Sequence, residues 1–218
     1  ILILLMGFLF DNLYHATIIS SYDFYGVTMI FFIAMMGATV PANAFLEKHI
    51  KNGNTRIFYS PVSRVSIYSS KILTCFLFMA LALTINIIIF DTISLVNFGS
   101  DKIGYVILLI INFVLFLTIL SSAICVTLHS EELTNVILSN SMSVLGFLSG
   151  IFFPIASLGA IFEKIASFSP IKWTVDCIFQ LIYDGQSTNY WWIMFALLTL
   201  SSLLLLVVHK NYRPEDYI

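Results

Sequence analysis

Four short patterns in this chain use residue types that can do chemistry. Glu131-Glu132 sets two carboxylates side by side, as general acid–base work would need. His129 with Glu132 can be read as part of a metal site. Gly146-Phe-Leu-Ser149-Gly150 places glycines around a serine, the setting of a nucleophile. The fourth, residues 47–71, is different: it gathers Lys48, Lys51, Arg56, Arg64 and Lys71, five of the ten Lys and Arg in the chain. The first three lack partners. No HExxH and no third ligand accompany His129, and the nearest histidine after Ser149 is His209, beyond another long apolar run. There is no GxxxxGK[ST] phosphate loop and no Gly-Lys dipeptide. Cys75, Cys125 and Cys177 are odd in number and form no CxxC, so they read as small buried residues rather than a disulfide framework or zinc ligands.

The elements that must position these residues follow from composition. The chain is 59% hydrophobic and 10% charged, with a mean hydropathy of +0.97. A soluble domain carries about 25% charged residues, so this is an integral membrane protein. Ten basic and twelve acidic residues give a net charge of −2, which offers no case for a nucleic-acid partner. Runs at roughly 24–46, 71–90, 104–127, 134–153 and 190–208 are each long enough to cross about 30 Å of hydrocarbon. Residues 1–10 read as the outer end of a further span. The expected fold is all-α: a polytopic bundle of six spans, the first truncated, forming a single transmembrane domain over 1–218.

Short Lys/Arg-rich loops stay in the cytoplasm, which puts 47–70 inside. Residues 11–23, 91–103 and 154–189 then lie outside, and 128–133 and 209–218 inside. Seven basic residues fall inside (the five above, Lys210 and Arg213) against three outside (Lys102, Lys164 and Lys172). Tyr190, Trp191 and Trp192 are expected as an interfacial belt. After Pro154, Leu158, Ile161, Phe162, Ile165 and Phe168 recur at helical spacing. Ser169-Pro170 breaks the chain, and Val175, Ile178, Phe179 and Ile182 form a second apolar face opposite Lys172, Asp176, Gln180 and Asp184. Two short re-entrant helices over 155–185, shielded by protein, fit this pattern; helices lying flat on the membrane are the alternative.

Within the spans, Asn43, Asn86, Asn112, Asn135 and Asn140 are expected to bond across helices. Pro41, close after Gly37 and Ala38, predicts a kink. Gly146 and Gly150 form a GxxxG pair suited to close helix packing. In the basic loop, Ser60-Pro61 has the chemistry of a helix start, with Val62, Val65, Tyr68 and Ile72 on one stripe. Gly53-Asn54 suggests a turn.

Glu47, Gly53-Asn54-Thr55, and Ser60-Pro61-Val62-Ser63-Arg64 followed by Lys71 resemble the first cytoplasmic loop of type-2 ABC transporter permeases. Asn54 departs from the family pattern by separating its Gly-Thr pair. Gly150-Ile-Phe-Phe-Pro154, then Ser169-Pro170 and Trp173, is similar to the family's Gly-(x)3-Pro segment and outer Pro-(x)2-Trp. The resemblance implies the transmembrane subunit of an exporter that dimerises, in a homodimer or with a homologous permease, and is driven by a separate ATPase. It implies that Glu47, Thr55, Arg56, Ser60, Pro61, Arg64 and Lys71 form or support the ATPase contact. It also implies an outer gate or re-entrant segment at Gly150, Pro154, Pro170 and Trp173, while Pro41, Gly146 and Gly150 read from residue type alone as helix-packing positions. ATP and Mg would bind the partner and no cofactor this chain; a multi-pass place in a bacterial plasma membrane and an amphipathic cargo (peptide, drug or lipid-like compound) follow. Two other classes compete. An intramembrane protease would draw on Glu131-Glu132, yet Val136 stands where an EExxxR pattern needs Arg, and Gly146–Gly150 has one residue more than GxSG. A non-transporting sensor or immunity subunit would need only the spans.

Overall fold

The computed structural model describes residues 2–9, 20–46, 51–59, 61–152, 164–185 and 189–217. Glu47, Ser60, Pro154 and the apolar residues Leu158, Ile161 and Phe162 lie outside them. The described residues form helices and turns only: α1 (Leu2–Leu9), α2 (Ser21–Met36), α3 (Val40–Leu46), α4 (Lys51–Phe58), α5 (Arg64–Thr92), α6 (Ile103–Leu128), α7 (Glu131–Leu148), α8 (Pro170–Phe179) and α9 (Tyr190–Asn211). Four stretches are long and apolar enough to cross a membrane: Ser21–Leu46, Arg64–Thr92, Ser100–Leu128 and Tyr190–Asn211. The eight-residue α1 and α7, whose first turn carries Glu131 and Glu132, are not among them. An all-helical membrane bundle is thus established, with four of the six expected spans.

The centre of the bundle is α6. Its Val106, Leu109, Phe113, Leu117 and Cys125 are sealed from every side, and α9, α5, α3 and α7 all pack against it. By contrast α5 and α9 turn Leu77, Phe78, Leu81, Phe195, Leu203 and Leu206 outward, as apolar helices do where lipid is the solvent.

The kink expected at Pro41 is a 3₁₀ segment, Gly37–Thr39, separating α2 from α3. A proline ring clashes with the carbonyl four residues back, here Gly37, where the α-helix stops. α5 starts at Arg64 with Ser63 as its N-cap, the Ser63 hydroxyl accepting from the Ser66 amide at 3.2 Å. The expected start at Ser60-Pro61 is therefore three residues early, and Pro61 precedes the helix. Of the expected stripe, Tyr68 and Ile72 are buried while Val62 and Val65 are exposed. Gly53-Asn54 lies inside α4 rather than in a turn.

α7 opens on Ser130, whose hydroxyl accepts from the Leu133 amide at 3.4 Å. Glu131 and Glu132 then fall in the first turn, where carboxylates favour the positive end of the helix dipole. Gly150 does not extend a GxxxG face. It takes φ +81°, the left-handed region that glycine enters at least cost. Its amide donates to Phe147 O and the Ile151 amide to Gly146 O, both at 3.4 Å, which closes the helix with a Schellman turn. Gly146 is buried, its α-carbon facing Met35 and Phe32 of α2.

At the other end of the bundle from α4, Ser169 precedes α8 and Pro170 is its first residue, the expected break. α8 runs into a π-helical turn, Gln180–Asp184, that Gly185 ends at φ +67°. Val175 and Ile178 are buried, and Lys172 pairs with Asp176 on the opposite side. Tyr190 is core rather than belt: it is 1% exposed and donates its hydroxyl to Tyr105 O at 3.0 Å. Trp191 and Trp192 are exposed as expected.

Candidate functional site

At the α4 end, four span ends converge on a second apolar cluster that includes Ala42, Phe45, Tyr68, Ile72, Val126 and Val208. Its polar centre is Lys71. The ammonium donates to Ala44 O at 3.0 Å and to Asn54 Oδ1 at 2.9 Å, and sits 5.2 Å from the centre of the Phe45 ring. Asn54 Nδ2 in turn donates to Phe45 O at 3.4 Å. A helix ends with carbonyls that lack intrahelical partners, and a cation is favoured there. The last turn of α3 thus finds its partners on α4 and α5, and one lysine joins three elements.

The same cluster reaches the end of α9. The Tyr68 hydroxyl lies 3.0 Å from His209 Nδ1. Tyr212 packs edge-on between Tyr68 and Phe45, with ring centroids at 5.4 and 6.0 Å. Burial pushes the Tyr212 phenol up to about 12, so it is neutral near pH 7. The turn Pro214–Tyr217 packs on α4. Force on α4 can pass to α3, α5 and α9 through this junction.

The sequence-predicted loop residues divide between two places. Arg56, Pro61 and Arg64 are exposed, together with Ile57, Tyr59 and Val62, which makes a basic surface with apolar and aromatic points. Thr55 is half-buried on α4. Lys71 turns inward, away from that surface. Asn54, Tyr68, His209 and Tyr212 complete the junction, and the sequence reading assigned none of them to it: Asn54 reads as a turn residue and Tyr68 as part of a helix stripe. A usable signal existed in Asn54, a polar residue interrupting an expected Gly-Thr pair.

At the α8 end, Pro170 and Trp173 lie near a second feature. The Trp173 indole donates to Ser167 O at 2.6 Å. An apolar cavity of about 260 Å³ lies between α6, α7 and residues 165–171, lined by Phe116, Leu120, Met142, Leu145, Ile171 and Ser169. The Ser169 hydroxyl is buried without a hydrogen-bond partner among the described residues. A buried hydroxyl normally finds one. Gly150, by contrast, is a helix stop at the end of α7.

The alternative chemistries find no support in this geometry. Ser149 Oγ donates to Leu145 O at 2.6 Å and is sealed in its own helix end, while His209 is engaged at the opposite end of the bundle. Among the described residues no group of three His, Cys, Asp or Glu could hold a metal ion. Of the span amides, Asn135 donates to Asn43 Oδ1 at 2.8 Å and Asn112 to Met194 O at 3.0 Å, both across helices. Asn86 instead bonds Ala82 O of its own helix, and Asn140 is exposed.

No curated protein and no solved structure matches this chain. A family model, described as ABC-2 family transporter protein, matches residues 3–208. That range takes in α4, Lys71, the α8 end and the membrane-length helices up to the last turn of α9, so the chain belongs to the ABC-2 family of transporter proteins, as a membrane permease component.

Proposed function

We propose that this chain is the permease of an ATP-driven exporter, with the α4 end in the cytoplasm and a separate ATPase seated on the Arg56–Tyr59–Arg64 surface. The observation that carries this reading is the Lys71 junction. A docking surface does work only if its movement reaches the spans, and Lys71 and Asn54 fasten α4 to two of them. The movement is a rigid-body shift of packed helices driven by closure of the ATPase. ATP and Mg stay with that partner.

The six-span plan extends the same reading. α7, 18 residues and about 27 Å long, crosses beside α6, and the apolar α1 packs against α2. α7 turns Leu133, Val136, Asn140, Val144 and Phe147 outward on one stripe. An amide in hydrocarbon favours a protein neighbour, and a second permease copy supplies one. The cargo is amphipathic: its apolar part suits the 260 Å³ cavity and a polar group reaches the Ser169 hydroxyl. The α8 segment, at the outer end, guards that cavity.

Charge reversal tests the docking. Arg56→Glu with Arg64→Glu, and separately Glu47→Lys, should weaken co-purification with the ATPase and uncouple its hydrolysis from cargo, while the permease still elutes as a folded dimer. Unchanged association and coupling in both variants would discard the docking surface.

A further inference from the structure

The last helix carries a feature that neither docking nor cargo uses. Phe195, Leu198, Leu203 and Leu206 stand out from α9 as exposed ridges around Thr199 and Ser202, forming an open groove of about 420 Å³. The two hydroxyls are spent within the helix, Thr199 on Ala196 O and Ser202 on Leu198 O, both at 2.8 Å. The groove is therefore apolar in effect. From Phe195 to Leu206 it runs eleven residues, about 16 Å at 1.5 Å per residue, close to the roughly 15 Å of one leaflet's hydrocarbon.

Helical spacing sets what lies at its end. Phe195, Thr199, Ser202, Leu206 and Lys210 follow one another at intervals of three and four, so Lys210 continues the groove's own stripe. There a polar pocket of about 310 Å³ opens between the ends of α6 and α9, lined by Thr127, His129, Lys210, Asn211 and Arg213. No carboxylate is among the described residues that line it. Asn211 Nδ2 donates to Thr127 Oγ1 at 3.4 Å, tying the two helix ends. Lys210 and Arg213 are exposed and make no ion pair among the described residues. Cations in a last helical turn offset the helix dipole, but that role needs neither the convergence of two helices nor an apolar groove above.

We propose that α9 binds one anionic phospholipid of the leaflet on the α4 side. Its phosphodiester sits between Lys210 and Arg213 at the mouth of that pocket, and one acyl chain lies along Phe195–Leu206. A leaflet-length groove that ends in cations matches a molecule with an apolar chain and an anionic head. An acidic protein segment would use the pocket and leave the groove empty.

Native mass spectrometry of the delipidated permease in detergent, titrated with phosphatidylglycerol, phosphatidylcholine or inorganic phosphate, tests this. Phosphatidylglycerol should bind more tightly than phosphatidylcholine, by on the order of 30-fold if each cation contributes about fivefold. Lys210→Gln with Arg213→Gln should remove that preference, while Lys210→Arg with Arg213→Lys keeps it. Ser202→Trp, which fills the groove, should weaken both lipids. Equal binding of the two lipids, or a preference that survives the Gln pair, overturns the site. Inorganic phosphate competing at the lipid's own concentration, or no effect of Ser202→Trp, makes it an ion site and overturns the lipid. Loss of lipid only on dissociation of a dimer would place a second copy on the groove and also overturn it. The inference takes its leaflet from the proposed orientation, but binding in detergent does not depend on orientation. Its failure is thus distinguishable from failure of the ATPase co-purification.

Discussion

At the α4 end, side chains from different elements bond to one another: Lys71 to Asn54, and Tyr68 to His209. At the α8 end, the described polar side chains that cross between elements reach backbone groups, the Asn97 amide donating to Asp23 Oδ1 at 2.7 Å, and the Lys172–Asp176 pair stays within α8. Tyr25 donates to Phe152 O at 3.2 Å, Lys102 to Leu181 O at 3.2 Å and Tyr190 to Tyr105 O at 3.0 Å. Two hydroxyls there, Ser169 and Tyr183, are buried without partners among the described residues, as are Ser121 Oγ and Asn135 Oδ1 nearer the α4 end, and burial pushes the Tyr183 phenol well above its usual range. Side-chain pairs fix elements to each other, so the α4 end should move as one body. Unmatched polar groups are costly, and of these the Ser169 hydroxyl lines the apolar cavity, where a visiting partner has room.

The comparison breaks most directly at Lys71. Lys71→Met leaves Asn54 Oδ1 and Ala44 O short of a donor, and should cost about 3 kcal/mol. A detergent thermal melt should fall while association with the ATPase persists, because the docking surface itself is untouched. Next comes the stop of α7. Gly150→Ala places a Cβ in the left-handed region and should cost about 1–2 kcal/mol, with the loss confined to protection of the α7 end in hydrogen exchange. Tyr68→Phe removes one hydrogen bond and keeps the ring contacts, so about 1 kcal/mol should be lost; a loss as large as for Lys71 would mean that His209, not the lysine, holds the junction. Gly53→Ala tests whether α4 is a helix in its own right. No atom lies within 4 Å of the added methyl, so stability should rise by about 0.4–1 kcal/mol. Ser169→Ala should have the smallest effect, from none to a few tenths of a kcal/mol gained. A clear loss there would show that the α8 end is as tightly matched as the other.

Much of the architecture was legible because a bilayer leaves few choices. Apolar runs located the membrane-length helices, and Pro41 marked the break in the first of them. Helix ends were harder. Ser60 and Ser63 can both cap, and the choice rests on which hydroxyl meets a free amide, a matter of geometry that residue type does not encode. Glycine was ambiguous for a similar reason: Gly150 suits a packing face or a left-handed stop equally well. Gly53-Asn54 reads as a turn locally, yet Asn54 gains its bonds from α3 and α5, and tertiary contacts outweigh a propensity of about 1 kcal/mol. At the candidate site, the basic character of 47–71 was plain, but the direction of Lys71 was not. A flexible four-carbon stem can face outward to a partner or inward to a helix end, and only the position of α3 decides.

In the proposed exporter, the 3₁₀ break at Gly37–Thr39 would set the gearing between the α4 junction and the far end of α2. It divides the first membrane-length stretch into a seven-residue arm next to the junction and a sixteen-residue arm beyond it, about 10 and 24 Å long. Met79 of α5 fills the space that a side chain at position 37 would occupy, so the pivot bears against an unbranched, pliant side chain. With arms in that ratio, a displacement of the short arm is magnified more than twofold at the far tip. A tilt of about 10° would carry that tip roughly 4 Å, close to the width of an alkyl chain.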